Sequence, residues 1–391
     1  MLYPPVVLNK LGVQNYLRRS LWFTQKDIKD FEKLSEKISP GDLVTIFSEE
    51  KYFLGIGYFN PQSFYCLKLL STEEQKIDIN FFVQVFSKAL NLRRSLYPGE
   101  GCFRLVFSEG DFVPGLVVDL FEKIAVVQTH TLGMEKLLAF IIEALKVVLS
   151  PEAIVLKNDH VKRQEEGLPL YVNVAYGKVE EPILVTIDDI KFLIPIISGQ
   201  KTGFFLDQRE NRRFVRDLSK GLQVIDGFSY IGGFGFYCLK GGAERVFLID
   251  RSAAALSLAE EIAKLNHWKD KLIALQGDIF KILKNPPKVD MVVLDPPAFI
   301  KSYKHISEGE KKYESLYFLG LKALEKGYFF GFSCSHFLKF ERLWFLIKNS
   351  LKSLQLNGRI IFQGIQAKDH PINPFVEETF YLKGIGVYVE K

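Results

Sequence analysis

Short apolar runs separated by polar turns fill the first seventy residues. The stretch ISPGDLVTIFSEEKYFLGIGYFNP holds two such runs, joined by a polar turn and closed by Asn60-Pro61, and FYCLKLL follows. Runs at this spacing predict a compact β-barrel. Beyond them the period changes. INFFVQVFSKALNLRRSL carries apolar positions three and four apart and predicts an amphipathic helix. After the Gly99–Gly101 turn, CFRLVFSEGDFVPGLVVDLF and KIAVVQTH predict two strands. MEKLLAFIIEALKVVL predicts a helix ended by Pro151, and AIVLKND a further strand before the polar stretch HVKRQEEGLP. From Leu222 onward, strand and helix alternate. LQVID, RVFLID, LIALQGDIF, VDMVVLD and YFFGFSCS read as strands, and AAALSLAEEIAKLN as one of the helices between them. LNGRIIFQGIQAKDHPINPFVEETFYLKGIGVYV reads as a closing strand pair with an exposed loop at Lys368-Asp369-His370-Pro371. This alternation is the signature of a doubly wound α/β sheet. Three domains are expected: a β-rich unit over 1–72, a central α+β unit over 73–185, and an α/β unit over 186–391.

Composition sharpens this picture in few places. A chain of 391 residues with 48% hydrophobic content can bury several cores. A net charge of +5 points only weakly to a polyanionic partner. Cys66, Cys102, Cys238 and Cys334 lie far apart with no C-x-x-C, so neither a metal site nor a disulfide framework is indicated. No signal-like head and no membrane-length apolar run is visible, which gives the expectation of a soluble cytoplasmic protein.

The densest chemistry lies in VIDGFSYIGGFGFYCLKGGAERVFLID, Val224 to Asp250. It reads as strand, Gly-rich bend, helix and a second strand ending in an acid. A nucleotide-like ligand needs that combination, because a helix N-terminus offers free N–H groups and a carboxylate accepts from ribose hydroxyls. The dinucleotide pattern G-x-G-x-x-G is absent. Gly227 and Gly232 have P-loop spacing, but Gly233 and Phe234 follow instead of Lys and Ser or Thr. An acid-opened loop without a phosphate-binding cation suits an uncharged adenosine with an amino-acid tail, S-adenosylmethionine. A helix–strand packing turn would look similar. Asp226, Asp250 and Asp278 each fall at a predicted strand end, where a doubly wound sheet binds ligands. The candidate donor-binding set is Asp207, Gln208, Asp226, Gly227, Phe228, Gly232, Gly233, Asp250, Arg251, Asp278, Ile279, Asp295 and Pro296.

At the next strand end stands Asp295-Pro296-Pro297-Ala298-Phe299, a stiff bend that carries an acid and an aromatic. A flipped base needs such a rigid hydrogen-bonding edge and apolar wall. Cys334, between Ser333 and Ser335 at another strand end, is a candidate nucleophile toward a pyrimidine; alone, it would read as a small buried hydrophobe. Candidate RNA contacts are Arg18, Arg19 and Trp22 near the start, then Lys201 in an exposed loop, Arg209, Arg212 and Arg213 along the cation-rich helix that follows it, and Lys301 in a polar loop expected to close over substrate. His160, Lys162 and Arg163 offer a further exposed cationic loop. In each case a solvated surface segment is the competing reading.

KTGFFLDQRENRR, DGFSYIGGFG, LDPPAF, FSCS, DHP and FYLKG occur in this order. The chain therefore resembles the bacterial large-subunit ribosomal RNA (cytosine-carbon-5) methyltransferases that carry an N-terminal PUA domain. The resemblance spans nearly the full length and is strongest from about 198 to 390. It implies a PUA barrel, a central α+β (EEHEE-type) domain and a class I, Rossmann-like methyltransferase domain. It also implies S-adenosylmethionine as donor with its site at the Gly loop, 23S rRNA as partner, a homodimer, and Cys334 as nucleophile; Asp295, at the strand end on the same sheet edge, is the second candidate catalytic residue. At the front, Arg19-Ser20-Leu21-Trp22-Phe23 replaces the family's usual Gly-His-Pro-Trp-Val-Phe. Two other functions fit the residues less well: a base-nitrogen (guanine) RNA methyltransferase, which would need no cysteine, and a non-catalytic RNA binder in ribosome assembly.

Overall fold

The structure, a computed structural model, describes residues 3–391; the first two residues of the expected 1–72 domain lie outside it. The chain forms two compact units. The first takes the chain as far as Val185 together with Ile194–Phe204 and Asp369–Thr379. The second takes Thr186–Leu193, Phe205–Lys368 and Phe380–Lys391.

The first unit holds two five-stranded sheets. One is ordered Pro5–Leu8, Asp42–Ser48, Phe53–Phe59, Leu67–Ser71 and Trp22–Phe23. Val6, Leu8, Phe23, Val44, Ile46 and Phe59 are buried inside it. The other is ordered Tyr171–Gly177, Ala153–Asn158, Ile124–Thr129, Leu116–Phe121 and Cys102–Phe107. The run over 102–121, expected as one strand, is therefore two. A short turn at Ser108–Asp111 divides it, and Phe112 and Gly115 at positive φ bring the chain back antiparallel. Helix Ile79–Leu96 begins where the Asp78 carboxylate accepts the Asn80 N–H at 2.8 Å. Its Phe82 and Phe86 enter a core with Val118, Val127 and Ile141. Ile56 and Tyr58 of the first sheet share that core, and the Tyr58 hydroxyl donates to the Pro114 carbonyl at 2.9 Å.

Two loops expected at the surface are buried. Asp369 and His370 are 0% and 2% exposed. The Asp369 carboxylate accepts from the Arg104 N–H at 2.8 Å and from the His370 ring at 2.8 Å, and its carbonyl accepts from Arg93 at 2.8 Å. Polar residues in a loop look solvated in sequence, but here each finds a buried partner. Arg163 is buried for the same reason, with its guanidinium on the Thr129 carbonyl and the Glu135 carboxylate.

In the second unit a seven-stranded sheet is built from β1 (Gln223–Gly227), β2 (Arg245–Asp250), β3 (Leu272–Gln276), β4 (Met291–Leu294), β5 (Lys326–Ser333), β6 (Asn357–Ile365) and β7 (Lys383–Glu390). Their order is β3-β2-β1-β4-β5-β7-β6. β7 alone runs against its neighbours β5 and β6, while β1 to β5 pair in parallel. Every residue of β4 is buried, as a central parallel strand covered on both faces requires. The order reverses between β1 and β4, which leaves a crevice at their carboxyl ends. The polar stretch after Ile300 was expected as a mobile loop, yet most of it is the helix Ile306–Lys322. Tyr313, Leu316, Tyr317 and Leu321 repeat at helical spacing and are fully buried on the sheet. Among the described residues no helix is long and apolar enough to cross a membrane.

Arg93 gives the first unit a test. Its side chain is 0% exposed and pairs in bidentate fashion with Asp111 at 2.5 and 2.7 Å. Arg93→Met strands a buried carboxylate and the Asp369 carbonyl, a loss of about 3–5 kcal/mol. The expected outcome is a lower urea midpoint for the transition that unfolds this unit.

Candidate active site

β1 ends on Asp226 and Gly227, and the chain turns at once. Phe228 and Tyr230 adopt φ of +60° and +51°, two non-glycine residues held left-handed in one loop. The Asp250 carboxylate at the end of β2 fixes that geometry. One oxygen accepts the Tyr230 N–H at 2.9 Å and the other the Ser252 N–H at 2.9 Å. Gly232 follows at φ +86°, and the helix Gly233–Lys240 starts there. A Cβ on Gly233 would meet the Arg212 guanidinium at 2.7 Å, and one on Gly235 would meet Leu248 at 2.5 Å. The protein's own packing thus crowds both positions, which favours glycine there whether or not a ligand approaches.

The Asp226 side chain accepts the Gly235 N–H at 2.7 Å and is 1% exposed. Burial pushes its carboxyl up to about 7; the Gly235 bond and Arg212 oppose the rise, while Asp295 and Asp250 add to it. Three acids therefore share one sheet edge closely enough to repel one another.

After β4 the Asp295 N–H donates to the Gly227 carbonyl at 3.3 Å, so the Asp-Pro-Pro bend lies directly beside the glycine loop. Phe299 packs among Phe228, Phe280 and Tyr313, with ring centroids 6.2, 6.3 and 4.7 Å away. The Phe299 N–H donates to the Tyr313 hydroxyl at 3.3 Å, and the Ser333 hydroxyl donates to the same oxygen at 2.9 Å. Ser335 donates to the Ile300 carbonyl at 2.7 Å. The residues flanking Cys334 are thus fastened to the segment that follows Asp295. Cys334 itself is partly exposed, whereas Cys66, Cys102 and Cys238 are buried. Burial pushes the Cys238 thiol up to about 12, which leaves it inert. Tyr313 and Tyr317 are both raised above their ordinary range, first by burial and then by the charges of Asp295 and Cys334, so both residues act on the same phenols.

One residue that the sequence did not single out completes this edge. Lys383, the first residue of β7, pairs opposite Ser333 and is 3% exposed. Its ammonium donates to the Ser335 carbonyl at 3.0 Å and to the Tyr381 carbonyl at 3.1 Å. Burial pushes it down to about 8, and Cys334 acts in the opposite sense. The late FYLKG run marked the position without indicating that β7 would pair beside Cys334.

The other candidates divide into two groups. Asp207 and Gln208 are buried, with the Tyr381 hydroxyl donating to Asp207 at 2.6 Å. Asp278 caps the short helix that starts at Ile279, accepts the Phe280 N–H at 2.8 Å, and pairs with Arg251. Pro296 is buried. The cation-rich helix, Arg209–Asp217, is not the solvated face expected for phosphate contacts: Arg209 and Arg212 are 1% and 4% exposed, and Arg213 pairs with Asp188. Arg212 instead lies 5.5 Å from the Phe234 ring, under the glycine loop. Lys301 is exposed. Within the first unit Arg18, Arg19 and Lys201 are exposed, while the Trp22 indole donates to Glu109 at 3.1 Å.

The edge fits an adenosine-type donor on two counts. Its strand-end carboxylates keep acceptor lone pairs for hydroxyl and amine groups. The Ser229 hydroxyl in the loop is buried with no hydrogen-bond partner in the protein, which leaves a polar atom for a ligand to satisfy; the Gln208 amide nitrogen, on the segment before the Arg209–Asp217 helix, is buried without a partner as well. Among the described residues no cluster of His, Cys, Asp and Glu forms a metal site.

Comparison with known proteins agrees with this layout. A family profile described as PUA-like domain matches residues 6–72, and one described as S-adenosylmethionine-dependent methyltransferase matches residues 173–313. The protein named ribosomal RNA large subunit methyltransferase I from Alteromonas mediterranea is 31% identical over 389 residues, covering 97% of each chain. Its namesake from Aeromonas salmonicida is 31% identical over 392 residues, covering 98% of each. Among solved structures, the putative methyltransferase SMU.776 complexed with SAH superposes with a TM-score of 0.82 at 18% identity, over 98% of this chain and 100% of that one. That last likeness shows the fold.

Asp226 yields a pH prediction. Its folded value, about 7, lies above the unfolded one, so the folded state holds the extra proton in between. Stability therefore falls as pH rises from about 4 to about 7 and levels off beyond. Asp226→Asn keeps an acceptor for Gly235 and removes the titration. Urea midpoints at pH 5 and pH 7.5 are expected to fall less in the variant than in the wild type.

Proposed function

The chain belongs to the ribosomal RNA large subunit methyltransferase I family, and from that premise we propose that it forms 5-methylcytosine in 23S rRNA with Cys334 as a covalent nucleophile. S-adenosylmethionine is the cofactor, and it supplies a methyl group made electrophilic by its sulfonium. Asp226, Asp250 and Asp278, with the Ser229 hydroxyl, are the groups that would hold it at the ends of β1, β2 and β3.

Carbon 5 of cytosine is a poor nucleophile. Addition of the Cys334 thiolate to carbon 6 makes carbon 5 enamine-like, so that it can accept the methyl group. Asp295 hydrogen-bonds the ring-nitrogen and amine edge and stabilises the adduct. Loss of the carbon-5 proton to a base, delivered through water, lets the thiolate leave and restores the ring. The observation that carries this reading is the fastening of Ser333 and Ser335 to the segment after Asp295, with a partly exposed cysteine between them. A guanine-nitrogen methyltransferase would have no use for that cysteine.

Two substitutions test the chemistry. Cys334→Ala is expected to lower methyl transfer to rRNA by more than about a thousandfold while calorimetry finds donor binding unchanged. Full activity in that variant rules out the covalent route. Asp295→Asn is expected to slow turnover by about a hundredfold to a thousandfold, read in single-turnover assays. Nucleoside mass spectrometry of RNA from cells with and without the gene identifies the base and then its position.

A further inference from the structure

The geometry points to Lys383 as the cation that holds Cys334 as a thiolate before the base arrives. This rests on the reading of Cys334 as nucleophile and adds the group that activates it. Lys383 is a positioning residue in this account; it acts on the thiol and not on the base.

The argument begins with an ammonium that is expensive to keep. Lys383 is 3% exposed, its hydrogen bonds go to two carbonyls, and among the described residues it forms no ion pair with a carboxylate. A buried charge normally persists only when paired. The Phe380 ring, 5.4 Å from the nitrogen, gives partial compensation. An ammonium has three donors, and two are spent on the Ser335 and Tyr381 carbonyls. Cys334 is held between Ser333, which pairs across the strands with Lys383, and Ser335, whose carbonyl Lys383 grips. The group of opposite charge that acts on Lys383 is the Cys334 thiolate. By reciprocity the ammonium favours the thiolate as much as the thiolate favours the ammonium.

The other ionisable groups around the thiol do not supply this charge. Tyr313 and Tyr317, from the helix Ile306–Lys322, are kept neutral by burial. Asp295, after β4, is an acid and opposes a thiolate. His336 is exposed, its ring 5.9 Å from that of Tyr381. In the proposed step the thiol proton passes to water, the sulfur keeps the electron pair, and Lys383 stays protonated throughout. The two groups titrate as a pair, and the effect is lost as pH rises past about 8, where the ammonium itself discharges.

The test is the pH dependence of Cys334 alkylation by iodoacetamide in the full-length protein, with the modified peptide quantified by mass spectrometry. In the wild type, the midpoint is expected below the ordinary thiol value of about 8.5. Lys383→Met is expected to raise it by about one pH unit or more, and Lys383→Arg, which keeps the cation, to restore most of the shift. A wild-type midpoint at or above the ordinary value overturns the inference without recourse to any variant, as does a Lys383→Met profile that coincides with the wild type. Neither result touches the nucleophile assignment. Methylation surviving in Cys334→Ala removes that assignment, whatever the alkylation profile.

Discussion

Two serine hydroxyls make the site possible. Ser335 donates to the Ile300 carbonyl, and Ser333 donates to the Tyr313 hydroxyl, which in turn accepts from Phe299. β4 and β5 are already neighbours as far as Leu294 and Gly331, and the two serines extend that attachment past the strand ends. With them, the backbone on either side of Cys334 is tied to the segment that carries Asp295, Pro296 and Phe299. Because the partners are buried, each bond is stronger than it would be in water, and leaving either unmade would carry a desolvation penalty. The attachment of the backbone around Cys334 to the segment that follows Asp295 is thus a property of the packed unit, not of either loop alone.

The strand order explains why the acids gather. β1 and β4 are neighbours, but their connections leave the sheet in opposite directions, so their carboxyl ends open into one crevice. The direct bond from Asp295 to the Gly227 carbonyl spans it. Burial, to which Asp295 and Asp250 add, raises the Asp226 carboxyl to about 7, so that it holds its proton below that pH. The sulfonium of the proposed donor is positive, and a cluster of this sign is a suitable place for it.

The second unit was largely legible because parallel strands are continuous apolar runs and each ends on a residue chemically unlike the run. Asp226, Asp250, Asp295 and Ser333-Cys334 could be found that way. Helix Ile306–Lys322 could not, since its first two turns, ISEGEKK, are largely polar, with only Gly309 buried among them, and its large buried side chains begin at Tyr313. The Asp369–His370 loop and Arg163 were misplaced for a related reason. Polar residues are assigned to solvent unless their partners are known, and those partners, Arg104 and Arg93 for the loop, stand more than two hundred and fifty residues away. The same ignorance of partners set Arg209 and Arg212 on a surface they do not occupy. Lys383 required knowing that the last strand enters between β5 and β6, a register that no local pattern encodes.

One edge of the seven-stranded sheet gathers several departures from local rules. Phe228 and Tyr230 are left-handed without being glycine. Asp226 is a carboxyl buried almost completely, and Lys383 is an ammonium buried without a carboxylate. Ser229 and Gln208 hide polar atoms that the protein does not satisfy. Each feature costs stability taken alone, and the hydrophobic packing of the seven strands is what tolerates them together. Left-handed non-glycine residues and buried charges occur elsewhere too, at Phe112, Arg93 and Arg163, but at this rim they coincide with an acid that holds its proton and an ammonium without a carboxylate, the combination expected where stability is given up for chemistry.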